Sequence, residues 1–137
     1  MWRAAALVLI AGAAQAEVTL GPIVREAILS EPTRRYDHAV LGDALEWGKL
    51  TIVIGAVPER GPLEITLPES RVFEDIEARL VDVSGDSWPE VIVVETDLEL
   101  GASLAVYGPE GKIAATPFIG QRHRWLAPAG VGDFDGD

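Results

Sequence analysis

From Leu50 onward the chain alternates short apolar runs with turn residues. Leu50-Thr51-Ile52-Val53-Ile54 is rich in β-branched side chains and stops at Gly55, which predicts a strand. Leu63-Glu64-Ile65-Thr66-Leu67 alternates apolar and polar strictly between Pro62 and Pro68, which predicts a short strand with one wet face. Val91 to Val94 is unbroken apolar chain, the pattern of a strand buried on both faces. Ser103 to Tyr107 predicts another strand. Gly108-Pro109-Glu110-Gly111 has turn chemistry, and Lys112 to Thr116 predicts the return arm of a hairpin. Arg71 to Leu80 fits a helical count through Phe73, Ile76 and Leu80, yet its end reads as strand. Glu17 to Asp43, broken at Gly21-Pro22 and Pro32, reads as irregular with room for two helical turns over Ile23 to Leu29. Short strands at this spacing predict an all-β chain.

The first sixteen residues have a different character. Arg3 precedes an apolar run from Ala4 to Ala13 that is too short to span a bilayer, and Ala14-Gln15-Ala16 has the small residues of a cleavage site. The expectation is a signal peptide over residues 1–16, cleaved after Ala16, and a periplasmic or secreted bacterial protein. The mature chain then has an irregular segment over residues 17–46 and β-structure over 47–137, with no membrane span.

Charge and composition narrow the function. The 137 residues hold 11 basic and 22 acidic side chains, a formal charge of −11. Nucleic acid and anionic membranes would repel such a chain. With no Cys, there is no disulfide framework, thiolate metal site or cysteine nucleophile. His38 and His123 lack a neighbouring ligand at metal spacing, and no Ser sits in a G-x-S-x-G elbow. Trp47, Trp88 and Trp125 suit packing better than sugar stacking. No carboxylate pair stands out as a general acid and base, so the chain reads as non-enzymatic.

The acidic bends carry the candidate chemistry. Asp82-Val83-Ser84-Gly85-Asp86-Ser87-Trp88-Pro89-Glu90 places side-chain oxygens at loop positions 1, 3, 5 and 9. Ca²⁺ needs six to eight converging oxygens, and alternate residues of a tight loop can face one point. The expected ligands are Asp82, Ser84, Asp86, the backbone carbonyl of Trp88, and Glu90. A second bend, Asp133-Phe134-Asp135-Gly136-Asp137, begins 51 positions later and offers Asp133, Asp135 and Asp137.

Ala78 to Glu95, followed by Gly101 to Tyr107, resembles an FG-GAP/VCBS repeat, and Gly130 to Asp137 resembles the opening of the next. In that family an apolar strand, a D-x-D-G-D-G-x-x-D calcium loop and a second apolar strand recur in integrin-type β-propeller blades. Ser84, Ser87 and Glu90 stand where the pattern has Asp or Asn, Gly, and Asp, so the first loop carries one charge fewer. The resemblance implies a partial propeller of about two blades, truncated after Asp137, since a ring closes with about four to eight. It also implies structural Ca²⁺ and a face for a protein or glycan partner on a full-length monomer. Two alternatives stand beside it: a polysaccharide hydrolase or lyase on a propeller scaffold with its active site elsewhere, and a small free-standing β-sandwich with Asp133 onward as a tail.

Overall fold

The computed structural model describes residues 19–37, 46–122, 126–130 and 132. Residues 1–16, His38, His123, Trp125, Asp133, Asp135 and Asp137 lie outside the described residues. The chain is all-β. Its eight strands are β1 (Leu20–Pro32), β2 (Glu46–Val57), β3 (Leu63–Thr66), β4 (Arg71–Glu74), β5 (Arg79–Val81), β6 (Glu90–Asp97), β7 (Gly101–Gly108) and β8 (Gly111–Ala115). They form one open antiparallel sheet in the order β1-β2-β4-β6-β7-β8, with β3 against β2 and β5 against β6.

The strands from Leu50 onward lie where the apolar pattern puts them. Val91 to Val94 are buried throughout, as an unbroken apolar run requires. Two stretches differ from expectation. The segment expected to be irregular contains the 13-residue strand β1, whose Ile23 to Leu29 pairs with β2 instead of coiling. Gly21, Pro22 and Pro32 lie at its two ends, where a strand tolerates them. Arg71 to Leu80 is neither a helix nor one strand. Val72 and Phe73 enter β4, Leu80 enters β5, and Asp75 to Ala78 link them. Long-range pairing with β2 and β6 supplies what local periodicity could not.

β4 is the strand that folds the sheet. β3 pairs with β2 over Lys49 to Ile52, while β4 takes the same edge of β2 at Glu46 and Trp47. β4 then pairs on its other side with Glu95 to Asp97 of β6, and the rest of that same edge of β6 takes β5 at Glu90 to Ile92. The sheet divides on either side of β4, and its halves turn their apolar faces together, so that β1 touches β5 and β6. One core results. Val24, Leu50, Ile52 and Ile54 from the first half meet Phe73, Val91, Val93, Ala105 and Tyr107 from the second. Each of the larger aliphatic and Phe side chains among them contributes about 1.5–3 kcal/mol by leaving water.

Side chains close the places where strands diverge. The guanidinium of Arg35 donates to the carbonyls of Pro68 and Arg71, both at 2.8 Å, and holds the turn after β1 against the β3–β4 connection. Val93 and Val94 of β6 fall between the stretches paired to β4 and β5. There the Val94 N–H donates to Oδ2 of Asp75 at 3.0 Å, so a carboxylate replaces the missing strand carbonyl. Beyond β8 the chain stays on the edge of β7, with Thr116, Ile119 and Gly120 donating to the carbonyls of Leu104, Ala102 and Leu100.

Candidate functional site

The strands β5 to β8 form a four-strand meander, and the acidic loop Asp82–Pro89 joins its first two strands. Apolar residues on either side commit those strands to the sheet, leaving the intervening polar residues to turn the chain in solvent. Gly85 takes φ +81°, the left-handed conformation that a residue without Cβ adopts freely. Ser87, also left-handed at φ +74°, holds this bend with its N–H donating to Asp82 Oδ2 at 2.9 Å.

The loop is cross-tied by its own carboxylates. Asp82 Oδ1 accepts from the Gly85 N–H at 2.8 Å, and Asp86 Oδ1 accepts from the Trp88 N–H at 2.9 Å. Glu90, 6% exposed, accepts at Oε1 from the N–H groups of Val83 and Ser84. Its Oε2 accepts from the Ser84 hydroxyl at 3.2 Å. One carboxylate oxygen each from Asp82, Asp86 and Glu90 lies within 4.8 Å of the others. Of the five ligands expected in this loop, these three carboxylates therefore converge. The Ser84 hydroxyl is tied to Glu90, and the Trp88 indole is half exposed and lines a groove against β1 and β2. The donor set is all hard oxygen, which fits Ca²⁺ better than a transition metal. Asp133, Asp135 and Asp137 of the second bend lie outside the described residues.

A second charged constellation has no motif to announce it. Glu95 continues the alternation of Val91 and Val93 and is 1% exposed. It accepts from the Tyr107 hydroxyl at 2.7 Å and pairs with Lys112 Nζ at 2.9 Å and Arg71 Nη1 at 3.2 Å. Burial pushes the Tyr107 hydroxyl far above its ordinary pKa, and the bond to Glu95 adds to this by favouring the protonated donor. Arg71 also reaches Asp97 at 3.7 Å and lies over the Phe118 ring at 4.9 Å. Burial raises the Asp97 pKa, but the N–H groups of Glu99 and Leu100, together with Arg71, outweigh it and leave it lowered. These groups satisfy one another, and the cluster clamps β4, β6, β7 and β8 together. Its one sequence signal is an acid placed on the core-facing alternation of an apolar strand.

Among the described residues, no helix is long and apolar enough to cross a membrane. No family model, no curated protein and no solved structure matches this chain.

Proposed function

We propose that this protein is an exported, non-enzymatic β-repeat module of the FG-GAP/VCBS propeller type, in which Ca²⁺ stabilises the acidic loop and a neighbouring face engages a protein or glycan. The observation that carries this reading is the convergence of Asp82, Asp86 and Glu90 between the first two strands of a four-strand meander. That is the position the calcium loop occupies in the repeat it resembles. Three carboxylates so close repel one another, and a divalent cation offsets that repulsion while fixing the turn. The cation's role is structural, coupling metal binding to folding.

The test is a thermal melt of the full chain with Ca²⁺ and with a chelator. Ca²⁺ at a hundredfold excess over its dissociation constant stabilises by about 2.7 kcal/mol. For a domain of this size that raises the midpoint by roughly 8 °C. Asp86→Asn removes one ligand charge and leaves an oxygen to accept from Trp88. It should shrink the Ca²⁺ shift and, by easing the repulsion among the carboxylates, raise the midpoint in chelator slightly. Equal wild-type midpoints with and without Ca²⁺ would remove the cation from the proposal.

A further inference from the structure

At the open end of the β1–β2 hairpin, opposite the acidic loop, lies a groove of about 550 Å³. Leu20, Ile23, Val57 and Trp88 border it, and three of these are conspicuously open to water: Leu20 at 65%, Trp88 at 53% and Val57 at 41% exposure. Its size and apolar lining are those of a small-molecule site, which takes its orientation from a few placed polar groups. Among the described residues no acidic side chain lines this groove, and Arg25 is its one charged lining residue.

Arg25 is placed there by an irregularity in the sheet. Val24 pairs with Ile54 and Glu26 with Val53, so Arg25 is the extra residue of a β-bulge. Bulges break the strict alternation of a strand and re-aim a side chain. The Arg25 stem lies across Gly55, with Cγ and Cδ each 3.0 Å from where a Cβ would stand, so a glycine leaves the room it occupies. Its lack of an ion-pair partner is unusual for this molecule. Every other lysine and arginine among the described residues lies within 4 Å of a carboxylate oxygen. The exposed Arg25 side chain makes no hydrogen bond or ion pair among the described residues. A guanidinium left without a partner in a chain this acidic, at the edge of an acid-free apolar groove, is complementary to an anion with an apolar body.

We propose that this groove binds a small apolar carboxylate, with its hydrocarbon body against Leu20, Ile23, Val57 and Trp88 and its carboxylate on the Arg25 guanidinium. The groove shares Trp88 with the acidic loop, but the proposal needs no cation there and stands whether or not the loop holds one. Calorimetric titration of the full chain with octanoate and with octanamide tests it, because the two share a body and differ in charge. Octanoate should bind saturably, one per chain, at least tenfold tighter than octanamide. Arg25→Gln should bring octanoate down to the octanamide level and leave octanamide unchanged, while Trp88→Ala should weaken both. Near-ultraviolet circular dichroism of each variant reports that the fold is intact. Absence of saturable octanoate binding, equal affinities for the two ligands, or an Arg25→Gln protein that binds octanoate like the wild type would each overturn the proposal.

Discussion

Replacing Asp75 with alanine tests how the divided sheet is held together. Asp75 is 7% exposed, and its carboxylate has three partners. Oδ1 accepts from the Ile76 N–H at 2.9 Å, Oδ2 accepts from the Val94 N–H at 3.0 Å, and Arg79 Nη1 reaches both oxygens at 3.0 and 2.9 Å. Val94 is fully buried, so its N–H cannot turn to water when the carboxylate is deleted. An orphaned buried N–H costs about 1–3 kcal/mol. Breaking a buried ion pair costs about 3–5 kcal/mol, but the Arg79 side chain is 26% exposed and can recover part of its hydration, which places the pair at the low end. Together these make Asp75→Ala cost about 4–5 kcal/mol, a large fraction of an ordinary domain's 5–15 kcal/mol. Asp75→Asn keeps one acceptor oxygen and should cost about half as much. Urea unfolding should show a lower midpoint at an unchanged slope. Hydrogen exchange locates the effect, since the Val94 amide should lose protection in Asp75→Ala and keep it in Arg79→Ala. A loss below about 1 kcal/mol, or an unchanged Val94 exchange rate, would refute the assignment of this carboxylate as the stand-in for a strand.

Tyr107→Phe removes one donor from Glu95 but leaves Arg71 and Lys112 in place, so denaturant unfolding should show a loss of about 1–2 kcal/mol. Gly101→Ala combines a left-handed backbone with a collision between the new Cβ and the Gln121 carbonyl. It should cost more than 2 kcal/mol, whereas Gly85→Ala, equally left-handed but in open space, should cost about 1 kcal/mol in the same assay. Asp97 is more acidic folded than unfolded, so its contribution is complete above the unfolded value of 3.8 and is lost as pH falls through the lower folded value. Urea midpoints of wild type and Asp97→Asn should accordingly differ most above about pH 4 and converge toward pH 2.

The all-β character and most strand positions were legible in the sequence, because a buried strand must be apolar wherever it meets the core. Val91 to Val94 and the Gly108–Gly111 turn are examples where local chemistry leaves few other conformations. The acidic loop was legible for the same reason, since oxygen side chains at alternate positions around Gly85 favour a tight turn. Tertiary structure alone decided the rest. β1 exists because β2 offers it a partner, and a strand so rich in Gly, Pro and charge does not signal itself. The break between β4 and β5 is fixed by which edges of β2 and β6 are free, a matter of long-range register. Asp75 and Glu95 look like surface acids in one dimension. Only the folded sheet brings Val94, Arg79, Tyr107 and Lys112 to them, because the energy of a buried charge depends on partners distant in sequence. The same holds for Arg25, whose isolation depends on where the fold places the carboxylates of the other described residues.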